Sequence, residues 1–213
     1  MARVARVTVE RMAVPSPTST PLRSKAQESR RARVIDTAYE LLLTTPYERI
    51  QMREISEESG VALATVYRYF SSKEVLFLHV LERWVANFDV RVRSRPLRGQ
   101  TNATRLIDAF TRGIRAFQRM PQFFAAFEVV ERCTDPVAVA VLRELASQIN
   151  ATYATALVGV DEGTVGDIIL ICNSVMNELV KSWTLGHLEI EEVNRLMERT
   201  VLLLVRGAET AVS

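Results

Sequence analysis

Cysteine is scarce in this chain of 213 residues: Cys133 and Cys172 are the two present, and they form no CxxC pair. That argues against a disulfide framework and a thiolate zinc site, and it fits a reducing cytoplasm. Histidine is equally rare, with His79 and His187 far apart in the chain. Most imidazole-based metal and acid–base sites are thereby removed, and no metal or other cofactor is expected. No apolar run approaches the ~20 residues that a membrane span requires. The basic N-terminus lacks the apolar segment of a secretion signal, so neither membrane insertion nor secretion is expected. GxSxG, HExxH and phosphate-loop patterns are also missing, which leaves the common enzyme signatures without a foothold. No proline follows Pro136, so the C-terminal part is free to build long helices.

What is present is ordinary globular material: 48% hydrophobic and 24% charged residues in 24.0 kDa. That suffices for one large or two small domains with a core of their own. Charge is unevenly placed. Residues 1–95 hold 16 Lys+Arg against 11 Asp+Glu, whereas residues 96–213 hold 11 against 14. A basic N-terminal part suggests an anionic partner such as nucleic acid. A basic solvated tail gives the same count, because residues 1–33 alone carry eight Lys+Arg.

Residues 1–22 read as a flexible tail, since Pro15, Pro17 and Pro21 lie among Ser and Thr and block helix. Val4, Val7 and Val9 could form a short strand there, without a visible partner. From about Ser24 the chain reads as successive helices. Val34, Ile35, Ala38, Leu41 and Leu42 recur at helical spacing, and Pro46 stops that helix. Gln51–Ser59 follows, closed by Gly60, and then Ala62–Phe70. Ser71 as N-cap with Glu74 makes a capping box for a longer helix, with Phe70 and Val75 as its hydrophobic staple. Pro96–Gln100 is the clearest boundary. Beyond it, 101–119, 122–132, 136–157, 164–185 and 190–207 read as helices. The fold class is all-α, with four parts: the tail, a three-helix helix-turn-helix unit over 23–72, a connecting helix over 73–95, and a helical domain over 96–213.

Two short helices around Gly60-Val61 have the form of a helix-turn-helix. On the second helix Val66 and Phe70 fall together, with Leu63 and Tyr67 flanking them. Ala64, Thr65, Arg68 and Tyr69 lie opposite. That outer face suits a major groove: Arg bonds guanine edges bidentately, and Thr bonds bases or touches the thymine methyl. Tyr67 and Tyr69 offer hydroxyls to phosphate, and Lys73 stands at the next helix N-terminus, where an anion is welcome. Such helix pairs also occur in helical proteins that never touch DNA.

Residues 50–81, IQMREISEESGVALATVYRYFSSKEVLFLHVL, resemble the DNA-binding domain of the TetR family of bacterial transcriptional regulators. The resemblance rests on Ile55, Gly60-Val61, Thr65-Val66-Tyr67, Tyr69-Phe70, Lys73-Glu74 and Leu76, together with the helix before them. It implies a homodimer that sets one recognition helix per subunit into the major groove of a palindromic double-stranded operator. The implied DNA contacts are Arg33, Gln51, Arg53, Leu63, Ala64, Thr65, Tyr67, Arg68, Tyr69 and Lys73. Leu63 is ambiguous, because its place on the wheel is near the core. Ala62 departs from the family pattern, where Ser or Thr commonly caps the helix.

The helical domain offers two further features. Phe110, Phe117, Phe123, Phe124 and Phe127 crowd into a short stretch and form either core or the wall of an effector pocket, with Tyr153, Asn173 and Asn177 as its polar groups. The last two helices carry Val175, Leu179, Trp183, Leu196, Val201 and Leu204, which are either internal core or, as the resemblance implies, a dimer interface. The QMR and YRYF-SK segments are loosely similar to actinobacterial regulators of lipid or steroid breakdown. That implies a small hydrophobic effector, such as an acyl or steroid thioester, which would release a repressor from DNA. The contrasting reading is a helical interaction protein of the same fold without specific DNA binding; the intact Thr65, Tyr67, Arg68, Tyr69 and Lys73 weigh against it. An enzyme is not expected, because no paired base or nucleophile stands out.

Overall fold

The computed structural model describes residues 25–93 and 95–211. The expected tail and its valine strand lie outside the described residues. Every regular element among them is helical. The first, α1 (Lys25–Thr44), buries Val34, Ala38 and Leu42 and stops ahead of Pro46. A 3₁₀ turn at Tyr47–Arg49 leads to α2 (Met52–Ser59) and α3 (Leu63–Tyr69). Between α2 and α3, Gly60 has φ +63° and its N–H donates to Glu57 O, while Val61 N–H donates to Ser56 O. This is the left-handed glycine stop that closes a helix while reversing the chain. The buried Ser56 hydroxyl donates to Val61 O at 2.7 Å and fixes the turn.

α4 (Lys73–Arg93) follows. Its cap differs from the sequence expectation by one residue. Ser72, not Ser71, accepts the Val75 N–H, and Leu76 N–H donates to Ser72 O. With the cap at Ser72 the staple register moves too, so Phe70 and Val75 are simply buried core residues. After Pro96 come α5 (Asn102–Arg119), α6 (Pro121–Val130), α7 (Pro136–Ala154), α8 (Glu162–Thr184) and α9 (Ile190–Ala211). Thr101 caps α5 and Asp161 caps α8, each accepting a backbone N–H three residues on. Glu191 and Glu192 open α9, where the helix dipole favours acid.

Two apolar cores organise the chain. The first joins α1 to α4 and continues into α6 and α7 through Phe123, Ala126, Val130, Ala138 and Leu145. The second joins α5, α8 and α9 around Leu106, Phe110, Ile168, Cys172, Met176, Val193 and Val201. Phe117, Phe127 and Ile149 pack against both cores. By length and mean hydropathy alone α8 could cross a membrane, a test that a core helix also meets. Among the described residues no cluster of His, Cys, Asp and Glu is arranged to hold a metal ion.

Candidate nucleic-acid interface and ligand cavity

The short α3 is held by what it buries. Val66 and Phe70 have no exposed surface, and Phe70 also lies under the Arg31 guanidinium, 5.0 Å from the ring centre. With those two inward, the remaining side chains must look out. Leu63 is 36% and Tyr67 49% exposed, and Ala64 and Arg68 are exposed beside a half-buried Thr65. Leu63 therefore joins the outer face. Arg68 Nη2 lies 3.5 Å from Thr65 Oγ1, so the guanidinium is laid along the face it would use for recognition. Ala62 occupies the N-cap position with no side-chain bond to the helix.

Two expected contacts are placed differently. The Tyr69 ring packs against the first core and its hydroxyl is buried without a hydrogen-bond partner. Tyr69 is the last residue of α3, and its ring turns inward beside Phe70 at a centroid distance of 6.4 Å. Its hydroxyl is not presented to a phosphate in this conformation. Lys73 donates from Nζ to the Tyr47 carbonyl and lies 4.0 Å from the Tyr47 ring centre. Desolvation lowers its pKa, and the carboxylates of Glu48, Glu74 and Glu54 pull the other way. Lys73 thus ties the 3₁₀ turn to the start of α4 through one of its three N–H donors.

Of the remaining positions, Arg33 is exposed on α1. Gln51 leads into α2, its backbone N–H donating to the Glu54 carboxylate at 3.4 Å. Arg53 is exposed and ion-paired to Glu57 at 2.9 Å, so a phosphate would have to draw it from that partner. The inward Tyr47 hydroxyl contacts Glu74, and burial, with Glu74 beside it, pushes its pKa up.

A cavity of about 300 Å³ opens between the two cores. Its walls come from α4 (Leu81, Trp84, Val85), α5 (Gly113, Phe117), α6 (Phe127) and Glu131 just after it, α7 (Leu142, Leu145, Ala146, Ile149, Asn150, Tyr153) and α8 (Leu170, Asn173, Ser174, Met176, Asn177). Phe117, Phe127, Tyr153, Asn173 and Asn177 line it. Phe110, Phe123 and Phe124 do not. Phe110 stacks behind the wall on Tyr153 at 4.2 Å, Phe123 meets Tyr39 and Trp84 in the first core, and Phe124 abuts Phe117 edge-on. Phe124 instead borders a neighbouring polar cleft with Glu128, Arg132, Glu178 and Lys181, which shares Phe127, Glu131, Ser174 and Asn177 with the cavity. The contributions of α4 and α7 were missed by sequence reasoning. Their apolar stripes look like plain core, and no local signal marks a stripe that faces a void.

Residues 34–80 match the family described as "Bacterial regulatory proteins, tetR family", and residues 99–204 match "Tetracyclin repressor-like, C-terminal domain". The HTH-type transcriptional repressor KstR of Rhodococcus jostii (strain RHA1) is 30% identical over 86% of this chain and 86% of its own length. The chain belongs to the TetR family of bacterial transcriptional regulators. KstR of Mycobacterium tuberculosis is 26% identical over 89% of this chain and 87% of its own. A TetR transcriptional regulator from Rhodococcus sp. RHA1 shares the fold at TM-score 0.71 and 21% identity, covering 84% of this chain and 97% of the other. The transcriptional regulator FadR from Bacillus subtilis, solved in complex with stearoyl-CoA, does so at 0.62 and 18%, covering 83% and 98%.

Within this TetR-family fold the last two helices split their apolar residues between inside and outside. Val201 is wholly buried and Leu179 nearly so, which makes them core of the protomer rather than open surface. Val175, Trp183, Leu196 and Leu204 are half-buried. The most exposed large apolar positions are Leu170 (65% exposed, at the cavity's edge) and Ile171 on α8, and Leu203 (67%) on α9. The run Val201–Val205 is apolar all round, so composition alone could not tell its inner side from its outer.

Proposed function

We propose that this protein is a cytoplasmic, dimeric repressor that binds a palindromic operator through α3 and leaves it when a hydrophobic effector fills the cavity between the cores. The observation that carries the DNA reading is the outer face of α3. Leu63, Ala64, Thr65, Tyr67 and Arg68 project together because Val66 and Phe70 anchor the helix from behind. That face offers an apolar, a hydroxyl and a guanidinium contact for base edges. Gln51, Arg53 and Lys73 supply the flanking contacts to phosphate that set register. Tyr69, whose hydroxyl is buried, would have to turn out to take part.

Several features support the regulatory reading. The cavity volume lies at the small end of ligand pockets, roughly 300–1,000 Å³, and its wall is apolar with a few amides. A relative of the same fold holds stearoyl-CoA, so an acyl or steroid thioester is the class to try first. α4 connects the two sites. Its Lys73 holds the 3₁₀ turn, its His79 ring lies 5.7 Å from that of Phe70, and its Leu81, Trp84 and Val85 line the cavity. That spacing is roughly 12–18 Å along one helix axis. A ligand that shifts α4 would change the separation of the two recognition helices in the dimer, which for successive major grooves is about 34–36 Å. A differential affinity of a few kcal/mol between the two shapes suffices for release. Leu170, Ile171 and Leu203, with half-buried Val175, Trp183, Leu196 and Leu204, form the proposed partner surface of α8 and α9.

The test is duplex binding as a function of salt. A groove reader with several phosphate contacts loses affinity steeply between low and physiological salt. A shallow slope, with Tyr67→Ala and Arg68→Ala without effect, would refute the assigned face.

A further inference from the structure

A buried polar atom without a partner needs a physical reason. Tyr69 carries one. Its hydroxyl is shut off from solvent and finds no hydrogen-bond partner among the described residues. The ring is only partly buried and packs against the first core from the last position of α3, next to the wholly buried Phe70. Two opposed effects act on it. Covering the ring with apolar side chains favours the inward position. Taking the hydroxyl from water without replacing its hydrogen bonds opposes it. For one phenol these effects are of similar size, so the inward position is weakly held. The Arg68 guanidinium rests on the same ring, 5.8 Å from its centre. The position of Tyr69 therefore also bears on the side chain offered to base edges.

We propose that Tyr69 is a two-position residue: inward in the free protein, it turns outward on a duplex and donates its hydroxyl to a backbone phosphate. Phosphate is the acceptor that fits, because an anionic oxygen takes an O–H more strongly than a neutral one does. Water is the competing acceptor. Reaching water alone exposes the ring with nothing in return, and so the free protein keeps the ring in. A duplex supplies both needs at once, an acceptor for the hydroxyl and sugar-phosphate surface against the ring. The inference rests on the DNA reading above and goes beyond it. One oxygen atom acts in opposite senses, destabilising the free fold and strengthening the complex.

The experiment removes that atom alone, by Tyr69→Phe in the full chain. A phosphate contact carries no base sequence, so a pool of short random-sequence duplexes at low salt serves as the probe. Tm is expected to rise by about 2–4 °C, while affinity for the pool falls about tenfold, the loss of one well-made hydrogen bond. Tyr67→Phe is the comparison. Tyr67 is 49% exposed, so this change should leave Tm unchanged. Incorporated 3-fluorotyrosine reads the position directly, and Tyr69→Phe assigns its fluorine signal. That signal should lack a solvent-isotope shift in the free protein and move when the pool is added. Weaker binding with Tm unchanged or lowered would make Tyr69 an ordinary contact and overturn the inference. A higher Tm with unchanged affinity would overturn it too, and would leave the DNA reading standing. So would a solvent-exposed fluorine signal in the free protein. Absence of duplex binding by the parent protein would remove the DNA reading and this inference with it.

Discussion

Gly113 makes the packing of the cavity testable by a single methyl group. The residue is buried in α5 and lines the cavity. Glycine inside a helix normally costs roughly 0.5–1 kcal/mol relative to alanine, so Gly→Ala at an open position stabilises. Position 113 is not open. A Cβ there would lie 2.7 Å from the Tyr153 hydroxyl, 3.7 Å from Met176 Sδ and 4.0 Å from Tyr153 Cζ. Ordinary contact begins near 3.4 Å, so the hydroxyl overlap is about 0.7 Å. Tyr153 cannot swing aside easily, being 2% exposed and stacked on Phe110. Overpacking of this kind costs about 1–3 kcal/mol, which outweighs the propensity gain and leaves a net loss of about 1–2 kcal/mol. In a chain of this length that lowers Tm by about 2–8 °C. The assay is thermal unfolding at fixed protein concentration, since dimer dissociation would otherwise shift Tm. The decisive comparison is on a Tyr153→Phe background. With the hydroxyl gone the nearest ring carbon is at an ordinary distance, so Gly113→Ala should then raise Tm. A rise in the Tyr153 parent, or a fall of equal size on the Phe background, would refute this account of the wall.

Other consequences are as direct. Ala62→Ser supplies the missing cap of α3 and is expected to stabilise by about 1 kcal/mol, read as a higher Tm together with tighter operator binding. Arg68→Ala should relax preference at one base pair by about 1–3 kcal/mol, whereas Tyr67→Ala should weaken binding to all duplexes; selection on randomised operators separates the two. At alkaline pH the protein should lose stability. Burial pushes the Cys172 thiol up to about 12 from 9.0 and raises the Tyr47 and Tyr153 phenols. Groups with raised folded pKa values hold their protons in the fold, so their contribution is complete below the unfolded pKa and is lost as pH climbs above 9 for the thiol and above 10 for the phenols. Lys73, whose pKa is lowered, acts in the opposite sense just below 10.5. Cys172→Ala should flatten the fall of Tm that begins near pH 9; an unchanged slope would exclude the thiol as its source.

The helix-turn-helix was readable because each of its parts has a local cause. Gly60 must take a left-handed conformation, Val66 and Phe70 are spaced to bury together, and Pro46 ends α1. The cap of α4 was misplaced by one residue because two adjacent serines offer the same chemistry, and only the backbone path decides between Ser71 and Ser72. Leu63 was ambiguous because a wheel position at the edge of a stripe turns outward or inward with a small rotation of the helix. The aromatic cluster marked the right region but not the right rings. Helical spacing shows that Phe110, Phe123 and Phe124 are inward, but not whether a core or a cavity lies before them. Leu81, Trp84 and Val85 reach the cavity from α4, and Leu142, Leu145 and Ile149 from α7. Their roles arise from how α4 and α7 stand opposite α5 and α8 across the cavity, a relation between distant segments that no local pattern carries.

The central claim is that α3 reads a palindrome as one half of a dimer. Selection of duplexes from a random pool by the purified full chain, at near-physiological salt with competitor DNA, tests it most directly. The account predicts recovery of an inverted repeat whose half-site centres lie one helical turn apart or a multiple of it, about 34–36 Å per turn. Arg68→Ala should lose the preference at one position in each half-site. Recovery of no sequence by a folded dimer, or of an unrepeated single site, would contradict it.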